Sequence, residues 1–362
     1  MGRCISLLLT GNKVSLLILD INCGSLLINK GEGKVFAYIL RRCLYVIPVL
    51  ILISIITFIV IQLPPGDFLT SQLQQLEEQY GDSVEMQINM LRRQYGLDQP
   101  LYVQYFKWVG GILTRLDFGQ SFAQNRPVKE IIMERMPFTI LITFCTLLFT
   151  WIVAIPIGVY SAVKQYSILD YVFTFLAFIG QSIPNFLLAL VLMYFFYSNF
   201  GWSVGGLFSP EYLVSSWGIG KILDLGKHLL LPVIVVGTAA TAGIVRVLRG
   251  MMLDELNKEY VQTARAKGLR ERVVIWKHIF RIAVLPLVST IGWLLPSLVS
   301  GQMITSIVLN LPTTGPILYQ SLLNQDMYVS GSFILLLSTL TVTGTLISDI
   351  LLALVDPRIR YD

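Results

Sequence analysis

Residues 44–63 read LYVIPVLILISIITFIVIQL, a run of 20 positions without a charged side chain. As a helix rising about 1.5 Å per residue, this run reaches across the roughly 30 Å hydrocarbon core of a bilayer. Comparable runs follow at Phe138–Val163, Tyr171–Phe200, Leu229–Val245, Ala283–Leu309 and Gly331–Val355, so six spans are expected. Lipid offers the backbone no hydrogen-bond partner, so only helices and closed barrels cross it, and these runs lack the alternation of barrel strands. The fold expected is an all-α integral membrane protein with six transmembrane helices. Composition agrees: 54% of the 362 residues are hydrophobic and 14% are charged, with a mean hydropathy of +0.69. Those values lie well beyond a water-soluble domain. The net charge of +5 is small and confined between apolar runs, which points to a lipid bilayer as partner and away from nucleic acid.

Six spans put both termini on one side. That side collects Arg3, Lys13, Lys30, Lys34, Arg41, Arg42, Lys164, the nine cations from Arg246 to Arg281, Arg358 and Arg360, which is 18 of the 27 Lys and Arg. The positive-inside bias makes it cytoplasmic, with N and C termini in the cytosol. The chain then divides into an extension at 1–34, a lead-in helix and first span at 35–63, a large extracytoplasmic loop at 64–137, and a transmembrane core at 138–362. The core includes a cytosolic loop at 246–283. The extension has apolar runs broken by Asn12, Lys13, Asp20 and Asn22 and no small-residue cleavage site, so no fold is expected there. An upstream start, with Val35 as the native initiation point, accounts for it. In the 64–137 loop Leu69, Leu73, Leu76 and Tyr80 recur at helical spacing, which predicts short helices over the outer opening.

The loop between the fourth and fifth expected spans contains EYVQTARAKGLRERVVIWKHIFRIAVLP at 259–286. Leu253, Leu256, Tyr260 and Ala264 form a narrow apolar stripe on a helix whose other faces carry Asp254, Glu255, Lys258, Glu259 and Arg265. Gly268 ends that helix. Thr263, Ala264, Ala266 and Gly268 place small side chains near its end, where another surface is able to approach the backbone closely. Taken alone, the pattern fits equally well a surface helix with its cations at lipid headgroups.

YVQTARAKG, with the AVLP that ends at Pro286 eighteen residues after Gly268, resembles the cytoplasmic loop signature of ABC importer permeases of the peptide and nickel type. The resemblance continues in order through LPPGDF, YGLDQPLYVQYFKWV, LDFGQSF, IGQSIPNF and VDPRIR, covering Val35 to Asp362. It implies the permease subunit of an ATP-driven importer in the cell inner membrane, translocating oligopeptide- or dipeptide-type solutes. The implied partners are a second homologous permease, two ATPase subunits and an extracytoplasmic substrate-binding protein. The resemblance further implies that Glu259, Tyr260, Gln262, Thr263, Ala264, Arg265, Ala266, Lys267 and Gly268 form a coupling helix gripped by the ATPase. Two departures stand out. In the signature E-A-A-x-x-x-G, Gln262 and Thr263 replace the Glu and first Ala, while Ala264 and Gly268 match. In GQMITSIVLNLPTTG, Ser306 stands where the family has Glu, Leu309 where it has Phe, and Thr313 and Thr314 where it has Gly-Leu. Loss of that carboxylate leaves an oligosaccharide as a rival cargo.

Polar residues within the spans are the candidates for a translocation path. Gln181, Ser182 and Asn185, beside Pro184, interrupt the third span, and Gln302, Thr305 and Ser306 interrupt the fifth; helix-to-helix hydrogen bonding is the alternative reading. Asp349 in the last span needs a partner or water. The phosphate-cradling pattern G-x-x-x-x-G-K-[ST] is absent, so ATP hydrolysis is expected in separate chains and no enzymatic activity in this one. His228 and His278 lie fifty residues apart, and Cys4, Cys23, Cys43 and Cys145 form no C-x-x-C pair, so neither a metal nor another cofactor is expected. A stand-alone secondary transporter is the competing class, but no half-to-half repeat of broken spans is visible.

Overall fold

A computed structural model describes residues 23–62, 98–202, 205–289, 292 and 303–355. Helix α1, Cys23–Gln62, carries the first apolar run and includes Pro48. It begins inside the extension for which no fold was expected: residues 23–34 continue helically into the span, because that stretch has glycines but no proline to stop it. Residues 1–22, and residues 63–97 with their expected short helices, lie outside the described residues.

Helix α2, Leu101–Arg115, lies against the end of α1. Ser54 Oγ and Tyr105 OH share a hydrogen bond of 2.8 Å, and Phe58 packs edge-on against Tyr105 with ring centroids 5.5 Å apart. Two short strands follow, β1 (Gln120–Ser121) and β2 (Arg126–Pro127), paired antiparallel with Ser121 opposite Arg126. Then come α3 (Val128–Val163), α4 (Ile168–Ser182), α5 (Asn185–Phe200), the single turn α6 (Pro210–Leu213) and α7 (Ile219–Leu256). Beyond α7 lie α8 (Glu259–Ala266), α9 (Glu271–Val273), a π-helical turn (Val274–Ile279) and α10 (Phe280–Ala283). The chain closes with α11 (Met303–Val308), α12 (Thr314–Leu323) and α13 (Met327–Val355).

Among the described residues four helices are long and apolar enough to cross a membrane: Ile39–Gln62 of α1, α3, α7 and Met327–Leu352 of α13. The expected third span, Tyr171–Phe200, is not one helix but two, α4 and α5, meeting at 104°. The cause is local. Pro184 disfavours helical geometry at the residue before it, and Ile183 is extended with φ −83° and ψ 122°. The expected fifth span passes through 290–291 and 293–302, outside the described residues.

The helix α7 is central: 56% of its most apolar stretch is buried, against 17% for α1 and 11% for α13. Its main partner is α3. Lipid tails are as apolar as leucine, so helices associate through close packing, and glycine permits it. A Cβ at Gly158 of α3 would lie 3.0 Å from Leu248 of α7, one at Gly180 of α4 would lie 2.8 Å from Thr238, and one at Gly237 would collide with the ring of Phe149. Asp170, near the start of α4, accepts both bonds of a forked pair from Arg249 of α7, at 3.0 and 2.9 Å. The two outermost spans pack on each other, and Arg42 Nη1 lies 3.0 Å from Asp349 Oδ2.

Asp326, just ahead of α13, ties the β1–β2 hairpin to the core. Its Oδ2 accepts from Ser121 Oγ at 2.6 Å and from the Ala123 amide at 3.2 Å. Burial pushes this carboxyl above the usual carboxylate range, against the pull of those hydrogen bonds. A raised acid contributes stability that is fully present below its ordinary value and lost as pH rises through its folded value. The Asp326 contribution to the thermal midpoint is therefore expected to fall as pH rises from about 4, read as the difference in pH dependence between the wild type and Asp326→Asn. Gly237→Ala is expected to cost about 1–3 kcal/mol in unfolding measurements in detergent, because the Phe149 ring must move.

Candidate coupling and cargo-path sites

The helix expected to run unbroken from Leu253 to Gly268 is two helices, and the loop expected to begin at 246 starts as a continuation of α7 to Leu256. The chain then turns. Asn257 Nδ2 donates to the Leu253 carbonyl at 3.2 Å, the Lys258 amide to Glu255 at 3.1 Å, and Lys258 is extended as it enters α8. At the far end the Gly268 amide bonds Arg265 O at 2.9 Å and the Leu269 amide bonds Ala264 O at 3.4 Å. This double closure needs a left-handed residue, and Gly268 supplies φ +71°.

One face of α8 is spoken for by the chain itself. Val261 and Ala264 are 0% and 6% exposed and join the same apolar core as Val274, Ile279 and Met252. Ala264, which the sequence placed both in the apolar stripe and on the small-residue surface, turns inward; its spacing of three from Val261 puts it on the buried face. The opposite face is open: Glu259, Gln262, Thr263, Arg265, Ala266, Lys267 and Gly268 are exposed. Tyr260 is half-buried and donates its OH to Glu255 Oε2 at 2.6 Å; burial and that carboxylate push the phenol well up. Arg265 forks onto Glu271 at 2.6 and 3.2 Å, bridging the Gly268 turn and holding the Glu271 carboxyl below its usual range.

The second candidate region is the α4–α5 elbow. Gln181 Oε1 accepts from Arg246 Nη2 of α7, and that guanidinium lies over the Phe178 ring at 5.3 Å. Gln181 and Arg246 are both exposed. Ser182 donates to the Phe178 carbonyl at 2.8 Å, and Asn185, half-buried, opens α5. Thr305 and Ser306 do not join them in the open: each is 2% exposed on α11. Their helix ends in another left-handed closure, at Asn310 with φ +51°, where the Leu311 amide bonds Ser306 O at 2.8 Å. Gln302 lies outside the described residues. Sequence reasoning missed Arg246, which counted only as a loop cation; the signal was its spacing of three from Arg249, which belongs on a continuing helix.

Residues 154–361 match the model of the family described as binding-protein-dependent transport system inner membrane component, and residues 35–143 match its N-terminal companion. The chain belongs to this family of ABC importer permeases. The oligopeptide transport system permease protein AppB of Bacillus subtilis (strain 168) is 38% identical over 327 residues, 90% of this chain and 99% of the relative. The dipeptide transport system permease proteins DppB of Alkalihalophilus pseudofirmus and Escherichia coli (strain K12) are each 34% identical over 340 residues. That overlap is 90% of this chain in both cases, and 99% and 98% of the two relatives. In this permease family member, the buried and open faces of α8 make separate demands. Ala264→Trp is expected to destabilise the purified protein by about 1–3 kcal/mol in thermal unfolding, whereas Ala266→Trp leaves the unfolding midpoint unchanged.

Proposed function

We propose that this permease imports oligopeptides or dipeptides, handed over by an extracytoplasmic binding protein, and that α8 is the cytosolic handle through which separate ATPase subunits move it. The observation that carries the reading is the division of α8 into a face cemented to the core by Val261 and Ala264 and an open face of Gln262, Thr263, Ala266 and Lys267. A helix held in this way transmits displacement instead of yielding to it. Motion applied to the open face passes through Val261 and Ala264 to the π-helical turn and to α7, and from α7 to α3. The Arg265–Glu271 fork stiffens the turn between handle and return segment.

The names of the relatives support peptide as cargo. The exposed Gln181–Arg246 pair at the elbow offers a polar lining at a broken span, the kind of place where membrane proteins admit irregular backbone and solute. The oligosaccharide alternative rested on the loss of a carboxylate at Ser306, and the names of the relatives favour peptide over it. A second homologous permease and two ATPase subunits complete the proposed assembly.

Ala266→Trp, on the open face, tests the handle. In the reconstituted assembly it is expected to lower peptide uptake about tenfold and to weaken retention of the ATPase subunits on purification, at an unchanged amount of permease in the membrane. Normal uptake and normal retention would remove α8 from the coupling interface.

A further inference from the structure

At the end of the molecule opposite α8 the chain encloses a cavity of about 530 Å³, within the range of small-molecule sites. Its walls come from the 205–213 connection, the 310–316 turn, α12 and the ends of α3 and α7. The polar lining is one-sided. Arg135, Ser209, His228, Asn310, Thr313 and Gln320 contribute to it, and among the described residues no Asp or Glu does.

Among the described residues, two neighbouring carboxylates are already engaged. Glu134, beside Arg135 in sequence, is held by the Arg126 fork at 2.7 and 2.9 Å. Asp224 accepts the Ser209 amide at 2.7 Å and Ser209 Oγ at 2.6 Å, and lies 3.5 Å from His228 Nδ1. Arg135 has no ion-pair partner among the described residues, and its Nε is buried without a hydrogen bond. Thr313, 3% exposed, has a hydroxyl without a partner. His228, 5% exposed, engages the Asp224 carbonyl at 2.9 Å through Nδ1, which leaves Nε2 uncommitted.

The Nε of the half-buried Arg135 and the hydroxyl of the buried Thr313 both lack a hydrogen-bond partner, and a group that satisfies both must bring acceptor oxygens, with negative charge to match the cation. We propose that this cavity receives a carboxylate, the C-terminal carboxylate of the transported peptide; this rests on the peptide reading above. Arg135 meets the carboxylate, a planar group matched to its fork, and Thr313 and Gln320 supply further donors. The cavity then registers the trailing or leading end of a peptide and not its side chains. That arrangement suits a path that passes many sequences.

The test uses the complete reconstituted transporter with its binding protein, and compares uptake of one peptide as free acid and as C-terminal amide. Because the same binding protein serves every permease variant, its own preference cancels in the change of the acid-to-amide ratio. Arg135→Gln is expected to lower that ratio about tenfold, Arg135→Lys to lower it by less because the charge remains but the fork is lost, and Gln320→Leu to lower it in the same direction. Co-purification of the ATPase subunits confirms assembly of each variant. An unchanged ratio in Arg135→Gln and Gln320→Leu overturns the proposal while leaving peptide import intact. So does an unchanged ratio with reduced ATPase stimulation by cargo-free binding protein, which would assign the cavity to an acidic side chain of that protein. A wild type that imports neither form sinks the peptide reading and the proposal together.

Discussion

The close approach of α3 and α7 sets the terms for the rest of the molecule. Apolar contact in lipid gains nothing from the release of water, so two spans stay together only where their surfaces fit. Gly158 and Gly237 remove the side chains that would hold the backbones apart, and Leu248 and Phe149 fill the resulting hollows. Fixing α7 in this way gives every element attached to it a defined position. Arg249 holds the start of α4 near one end, and Asp224 holds the Ser209 loop near the other. Close to that second end, Lys221 lies over the Phe208 and Trp217 rings at 5.0 and 5.4 Å and donates to the Ser215 carbonyl at 2.7 Å. The central helix therefore carries polar anchors toward both ends and apolar packing between them, as an element that links two faces of a membrane requires.

The return segment after Gly268 shows a different solution. Here the chain leaves regular α geometry for a six-residue π-helical turn, Val274–Ile279, whose buried residues Val274 and Ile279 pack on the same core as Val261 and Ala264. A π turn rotates the following residues relative to an α-helix, and this rotation lets both ends of the turn face inward. Trp276 and Phe280, with ring centroids 5.0 Å apart, line the segment on its way back. The handle and the return path are thus one packed unit.

Much of the fold was legible because span length and the absence of charge are strong signals: residues 44–62 of the first run fall inside α1, and the run at 138–163 falls inside α3. The signature after Lys258 was legible as well. What escaped were features that depend on partners distant in sequence. The polar residues around Pro184 marked an interruption, but not that the two halves meet at 104° or that Gly180 brings α4 close to Thr238 of α7. Cations at Arg246 and Arg249 look like the end of a span, yet Asp170 and Gln181 receive them and the helix runs on to Leu256. Ala264 counted both in the apolar stripe and on the small-residue surface, and its packing against Val274 and Ile279 decides between the two. The cavity around Arg135 draws on segments that lie as much as 185 positions apart, so no local pattern announces it.

The Arg42–Asp349 pair bears on how the chain is made. Arg42 leaves the ribosome early and Asp349 almost last, with 306 residues between them. The contact that joins the first span to the last therefore closes only when nearly the whole polypeptide has been synthesised.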